Sequence, residues 1–315
     1  MTQKPGGNII DYIVEKTDEF LACMPEINTA NSYGSGFFTQ GKKHKAQAMD
    51  LILSVNNPNN WHKENYKQNP WMYEGSGIKG LLNYAEDASF PKGLGAFFTK
   101  FQGRNYKLLV VDKRLLYNNL KTWQHFSLPG RFQKPMRVFI DNSDGVLPEL
   151  MKYNYESAIK AAMLMSPVIP FEIKELYERI ADLSYMGDVR RLFHFEDPNK
   201  TKNIVEGSYD FFEETYGKSD VFYRTGKHIF RTDISNLEIV DSLPENLKNY
   251  IHEELSHRDI RDPKKLSKRV SKYFRNLDLL DSAKMALRCN ETVGLEKTAD
   301  TLIGKAKKSM IKVRK

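Results

Sequence analysis

Apolar positions along residues 8–24 recur every three or four residues, the period of a helix with one buried face, and Pro25 predicts its end. The segment SYGSGFF (32–38) and the polar, basic stretch GKKHKAQ (41–47) follow. MDLILSV (49–55) is a continuous apolar run and predicts a buried strand, closed by the Asn-Asn-Pro turn at 56–58. Residues 59–84 are rich in Trp, Tyr, Asn and Gly and predict mixed helix and loop. GAFFTKF (95–101) and YKLLVVD (106–112) predict two further strands joined by a turn at Gly103 and Arg104. A helix over 113–122 leads to LPGRFQKP (128–135), and MRVFID (136–141) predicts another strand.

Beyond Asp144 and Gly145 the pattern becomes mainly helical, over 147–165 and 172–183, with Pro167 and Pro170 bounding the second helix. Short runs at 203–206 and 221–223 and the stretch HIFRTDISNLEIV (228–240) predict a small hairpin. From Pro244 onward the chain reads as helical and basic. The fold class is therefore α+β. Its expected parts are a mixed domain over 1–145, a helix-rich module with a little sheet over 146–243, and a helical region over 244–315. The middle module has the composition of a winged-helix-like domain.

The chain has 315 residues, enough for two modest domains, with 40% hydrophobic and 28% charged residues. No apolar run of membrane-spanning length occurs, and the mean hydropathy is −0.57. Cys23 and Cys289 lie far apart and outside any paired motif, which argues against a disulfide scaffold or a four-cysteine zinc site and suits a reducing compartment. Acids at 11, 15, 18, 19 and 26 leave neither a secretory signal nor a transit peptide visible near the start. The net charge of +8 and the pI near 9.1 imply anionic partners. The surplus is local: residues 294–315 hold seven Lys or Arg against two acids. That concentration argues against a broad nucleic-acid surface, and no nucleic-acid partner is expected.

The main chemical signal is Tyr33-Gly34-Ser35-Gly36, followed fourteen residues after Gly36 by Asp50 at the mouth of an apolar strand. Glycines let backbone approach a triphosphate, and a Ser hydroxyl with free N–H groups can hold its oxygens. A carboxylate on the neighbouring strand can then bind Mg²⁺ shared with the phosphates. A glycine turn alone is a common tight turn; joined to Asp50 and its strand it resembles the layout of polymerase-beta-like nucleotidyltransferases. That superfamily usually carries a second acid two residues on, where this chain has Ile52. Asp112 and Asp141 sit at strand ends, the usual place of turn formers. Lys107 interrupts an apolar strand, as either an edge position facing water or a phosphate ligand, and the ligand is favoured.

YGSGFF, KAQAMDLILSV, NNPNNWHKEN, KGLGAFF, GRFQKP and LSYMGDVR occur in order between Ser32 and about Val205. Together they resemble the mitochondrial translocator assembly and maintenance family, which are CDP-diacylglycerol synthases. The family similarly shows one acid at the Asp50 position. The resemblance implies a CTP:phosphatidate cytidylyltransferase that serves phosphatidylglycerol and cardiolipin synthesis. The phosphatidate oxygen would attack the α-phosphorus of CTP in line and release pyrophosphate. It also implies that Arg131 and Lys134 contact the phosphatidate headgroup or the triphosphate, rather than serving as solvated surface cations. Asp188 and Asp197 are candidates to complete the metal or base site, although Asp188 in an ion pair with Arg190 is an equal expectation.

His62 beside Trp61 is expected at an amphipathic surface, and Trp71 and Trp123 in the core. In the tail, Leu295, Ala299, Leu302, Ile303, Ala306, Met310 and Val313 share one helical face. Lys305, Lys307, Lys308 and Lys312 fall on the other, the form of an interfacial helix on anionic lipid. The expected placement is peripheral on the cytoplasmic face of a bacterial membrane, the alternative being the matrix side of the mitochondrial inner membrane. An RNA-directed or small-acceptor nucleotidyltransferase and a non-catalytic membrane adaptor are the competing functions. The oligomeric state has no signature in the sequence.

Overall fold

Strand alternation sorts the apolar residues of the N-terminal half into two sets, each covering one face of a sheet. The computed structural model describes residues 9–34, 36, 38, 48–74, 95–192 and 196–293. In chain order the first half holds α1 (Ile9–Ala22), β1 (Thr29–Tyr33), β2 (Met49–Val55), α2 (Pro58–Gln68), β3 (Gly95–Phe101), β4 (Arg104–Asp112), α3 (Lys113–Thr122), α4 (Pro129–Phe132) and β5 (Met136–Asp141). The five strands form one mixed sheet in the order β3-β4-β2-β1-β5. β2 and β4 run parallel, and the other neighbours are antiparallel.

Met49, Leu51, Leu53 and Val55 point to one face, where Tyr106, Leu108, Val110 and Phe97 join them under Phe20 and Leu21 of α1 and Trp61 of α2. Ile52, Leu109 and Val111 point to the other, against Leu116 and Leu120 of α3, Phe132 of α4 and Leu147. Asp112 caps α3 by accepting the N–H groups of Arg114 and Leu115, so this strand-end acid is a helix cap. Asp141 similarly accepts the Ser143 N–H at 3.0 Å in the turn after β5.

The remainder contains α5 (Val146–Leu164), β6 (Phe171–Glu172), α6 (Ile173–Asp182), α7 (Val189–Leu192), α8 (Lys200–Gly207), α9 (Tyr209–Tyr216), β7 (Phe222–Thr225), β8 (His228–Arg231), α10 (Asn236–Asp241), α11 (Glu245–His252), α12 (His257–Ile260) and α13 (Pro263–Val293). A three-stranded sheet in the order β6-β8-β7 lies among these helices. Their shared core includes Leu176, Tyr177, Ile180, Phe212, Leu247 and Phe274, and also Trp123 and Phe126 from before residue 146. α13 reaches back to lie against β3.

Four expectations change. β1 escaped the pattern because TANSY is polar and small, yet Thr29 to Ser32 are buried in the middle of the sheet. The run at 203–206 is helical, since Ile204 and Val205 pack one face of α8 into the core. The stretch 228–240 is strand only to Arg231; Ser235 and Glu238 form a capping box that starts α10. His62 is buried rather than at the surface, its Nδ1 3.0 Å from the Tyr73 hydroxyl. Burial holds it neutral, with its pKa brought down to about 3.

Two side chains pin the segment between α3 and β5 to the helical half. Asn154 of α5, fully buried, accepts from Trp123 Nε1 at 2.9 Å and Gln133 Nε2 at 3.0 Å, and donates to the Pro129 carbonyl at 3.1 Å. Asp281 of α13 accepts the N–H groups of Phe126 and Ser127 at 2.7 and 3.0 Å. Tyr216 and Tyr273 add hydrogen bonds to the Gln133 and Trp123 carbonyls at 2.8 and 2.7 Å. Truncating Asn154 orphans several buried groups, each costing about 1–3 kcal/mol. Asn154→Ala is therefore expected to lower the unfolding free energy by about 2–4 kcal/mol in urea denaturation. An unchanged midpoint would refute the pinning role.

Candidate active site

The parallel β2–β4 register sets Asp50 opposite Lys107, and the antiparallel β1–β2 register sets Tyr33 opposite Asp50. By alternation Asp50, Lys107 and Tyr33 all face the side of the sheet covered by α3 and α4. Lys107 Nζ lies 3.6 Å from Asp50 Oδ1, both side chains about three-quarters buried. Gly34, just after β1, has φ +80, and a Cβ there would lie 3.0 Å from Asp50 Oδ2. The glycine thus serves two needs: a left-handed backbone and open space beside the carboxylate. At Gly36 a Cβ would meet the Ala48 carbonyl at 2.8 Å, so this residue must be small for the turn to pack on the start of β2. Ser35 lies outside the described residues, as do Lys305, Lys307, Lys308 and Lys312.

GRFQKP, a segment after α3 in the sequence pattern, begins as the single turn α4. That turn presents Arg131 and Lys134 three residues apart. The Arg131 guanidinium lies 5.7 Å from the Tyr33 ring centroid and donates to the Ser127 carbonyl. Lys134 Nζ donates to Ser184 Oγ and stands 4.1 Å from the Tyr185 ring centroid. Among the described residues neither cation has a carboxylate within ion-pair distance. Burial, together with the charges of Lys200 and Arg131, holds the Lys134 ammonium below its ordinary range.

Asp188 is nearly fully buried and bound on both oxygens by Arg190. Burial acts to raise its pKa, and the Arg190 hydrogen bonds and charge outweigh that and hold it low. Asp197 accepts the Asn199 N–H at 3.1 Å and Asn203 Nδ2 at 3.2 Å, at the entry to α8. Of the sequence candidates, then, Tyr33, Gly34, Asp50 and Lys107 meet on one sheet face, and Arg131 joins them through Tyr33. Lys134 and Asp188 belong to a neighbouring group with Tyr185, Arg190, Glu196, Lys200 and Asp278. The sequence reading missed Tyr185, Lys200 and Asp278, which no spacing rule links because they come from a turn, α8 and α13.

Among the described residues no group of three or more His, Cys, Asp or Glu side chains could hold a metal ion. Among the described residues the donor set at Asp50 is one carboxylate, approached closely at Oδ2 by Gly34. Such a site suits Mg²⁺, which is commonly bound by one or two carboxylates plus substrate phosphates and water. A glycine turn, a carboxylate and an ammonium thus meet on one sheet face of an α+β protein. The family described as "Phosphatidate cytidylyltransferase, mitochondrial" matches residues 17–311, and the chain belongs to it.

Among curated relatives, the phosphatidate cytidylyltransferase of Schizosaccharomyces pombe is 37% identical over 200 residues, 60% of this chain and 49% of that protein. The Bos taurus protein is 29% identical over 261 residues, 78% of this chain and 74% of its own length. The Saccharomyces cerevisiae protein is 31% identical over 197 residues, 58% of this chain and 49% of its own. The matched region therefore spans about half the length of the two yeast relatives. All three carry "mitochondrial" in their names, consistent with the alternative placement on the mitochondrial inner membrane.

Asp278 of α13 accepts the Gly187 N–H at 3.4 Å, and burial pushes its pKa up to about 8. A carboxyl whose folded pKa exceeds its unfolded value of about 3.9 stabilises the fold while protonated. That stability is lost as pH rises from about 4 through about 8. Asp278→Asn keeps the acceptor and cannot ionise. The variant is expected to lose less melting temperature than wild type between about pH 5 and about pH 8, by scanning calorimetry. Equal losses would show that Asp278 does not titrate there.

Proposed function

We propose that this chain is a CTP:phosphatidate cytidylyltransferase that forms CDP-diacylglycerol and pyrophosphate. The observation that carries the reading is the Asp50 carboxylate, held 3.6 Å from Lys107 and approached at its other oxygen by Gly34, where a Cβ would crowd it, in a chain of this family. The Gly34–Gly36 turn would receive the triphosphate, with Tyr33 at its edge. Asp50 would hold Mg²⁺ jointly with the phosphates, and the bound ion would neutralise charge as pyrophosphate leaves. Lys107 would supply a fixed cation at the triphosphate. Arg131 and Lys134 would orient the acceptor phosphate for in-line attack, so that positioning and charge stabilisation carry most of the catalysis. Phosphatidate already bears an anionic oxygen, so the chemistry makes little demand for a general base, and Asp188 in its Arg190 ion pair would serve structure.

The five-stranded sheet with its acid on β2 supports a polymerase-beta-like nucleotidyltransferase domain over 1–145. The β6-β8-β7 sheet among helices supports a winged-helix-like module over 146–243, followed by a helical region over 244–315. No helix among the described residues is long and apolar enough to cross a membrane. The basic, amphipathic pattern of 294–315 supports peripheral binding to anionic lipid.

Incubated with CTP, Mg²⁺ and phosphatidate in mixed micelles, the protein is expected to release pyrophosphate and CDP-diacylglycerol. Asp50→Asn is expected to lower kcat by about a hundredfold or more while the fold is kept, since it removes the site's carboxylate charge. Failure of wild type to form product, or full activity of the variant, would refute the reading. Deleting 294–315 is expected to weaken sedimentation with phosphatidate- or cardiolipin-containing liposomes by several-fold at low salt, about 1 kcal/mol per basic residue near the surface being available. Unchanged sedimentation would make the tail a structural helix.

A further inference from the structure

Next to Arg131 lies a cluster of charged side chains around Tyr185 in which cations outnumber anions. Lys134 and Lys200 both approach one aromatic ring, that of Tyr185, at 4.1 and 4.9 Å from its centroid. Lys200 also pairs with Glu196 Oε2 at 2.7 Å, and Arg190 pairs with Asp188 and reaches Glu196 at 3.8 Å. Each of the two carboxylates thus has a cation of its own. Among the described residues Lys134 has no carboxylate within ion-pair distance, and Arg131, one turn before it, has none either. Asp278, facing Lys134 from α13, offers little countercharge near neutral pH because burial keeps its proton on up to about pH 8. Among the described residues the Tyr185 hydroxyl has no hydrogen-bond partner.

Half-buried, unneutralised cations beside a free hydroxyl donor make an anion site. The surplus is two charges: Arg131, Lys134, Arg190 and Lys200 against Asp188 and Glu196. A phosphomonoester matches it, with up to two negative charges and several acceptor oxygens for two ammoniums and a phenol. We propose that Lys134, Lys200 and the Tyr185 hydroxyl bind the phosphomonoester of the acceptor lipid, with Glu196 and Arg190 positioning Lys200. Identifying the acceptor rests on the cytidylyltransferase reading; the anion site itself does not. Arg131, between this recess and Tyr33 opposite Asp50, would join the acceptor phosphate to the nucleotide site. A diester headgroup carries only one charge and lacks the third terminal oxygen, so the same recess would select monoester over diester lipids.

Two measurements on the full chain test the proposal. The first is kinetic. Lys200→Gln is expected to raise KM for phosphatidate about tenfold, the loss of one charge-assisted contact, with KM for CTP within about twofold. Lys200→Arg should recover much of the loss. A rise in KM for CTP instead would assign the recess to the triphosphate, and no change in either would leave Lys200 outside both sites; each result overturns the proposal.

The second measurement is spectroscopic and needs no turnover. Burial alone would raise the Tyr185 phenol, but the ammoniums of Lys134 and Lys200 outweigh it and bring its pKa down to about 8. Ultraviolet absorbance should therefore show one tyrosinate with a midpoint near pH 8 that Tyr185→Phe removes. Glycerol 3-phosphate or inorganic phosphate should move that midpoint upward, because a bound anion disfavours the phenolate. A midpoint that neither ligand moves would overturn the anion site. If the midpoint moves yet wild type makes no CDP-diacylglycerol, the anion site stands and the proposed activity falls. A response to inorganic phosphate with no Lys200 effect on KM for phosphatidate would make the recess a free-phosphate site and overturn the acceptor assignment.

Discussion

The parallel pairing of β2 with β4 is the constraint on which the site depends. In that register each residue of one strand has a fixed partner on the other, and Asp50 falls beside Lys107 with no freedom to slip. A shift of one residue would turn Asp50 into the apolar layer under α1 and carry Met49 and Leu51 to the opposite face. The core residues of both faces therefore hold the carboxylate in place, although none of them touches it. β1 adds the second restraint: it lies antiparallel between β2 and β5 and ends at Tyr33, so its following turn returns Gly34 against the Asp50 carboxylate.

The helical half contributes by fixing the segment that bears Arg131 and Lys134. A single helical turn has little stability of its own, since the first turn fixes several dihedral angles for one hydrogen bond. Here that turn is held from outside, by Asn154, Asp281, Tyr216 and Tyr273. These side chains reach it from α5, α9 and α13. Their hydrogen bonds are buried, so each lost partner would leave a desolvated polar group behind. This is how two cations with no carboxylate within ion-pair distance among the described residues can stand half-buried beside the sheet.

Electrostatics in the adjoining recess follows from the same packing. Arg190, Asp188, Glu196 and Lys200 form a network in which each acid is matched by a base. Tyr185 lies against Lys134 and Lys200 because the turn at 183–188 is held down on α13, where Gly187 meets Asp278. Burial itself lifts the Asp278 carboxyl to about 8, whereas the ammoniums of Lys134 and Lys200 outweigh burial and bring the Tyr185 phenol down to about 8.

The strands β2, β3 and β5 and the helix α3 were legible with the bounds they adopt, because continuous apolar runs and helical periodicity report burial directly. Gly34 and Asp50 were legible as a pair because a glycine turn before an acid on an apolar strand is a local pattern. β1 was not, since a strand of Thr, Ala, Asn and Ser at the centre of a sheet is buried by its neighbours rather than by its own hydrophobicity. Helix at 203–206 and at 236–240 won over β-branched composition through packing on a core and a capping box, one of which lies outside the local sequence. The sequence by itself therefore determined the α+β class and singled out Gly34, Asp50, Lys107, Arg131 and Lys134 as candidates. Only the tertiary structure decided that Asp188 answers Arg190, that His62 is interior, and that Lys200, Tyr185 and Asp278 gather around Lys134. Charge pairing and desolvation depend on distances in space, and residues from a turn, an eight-residue helix and the long α13 share no spacing along the chain.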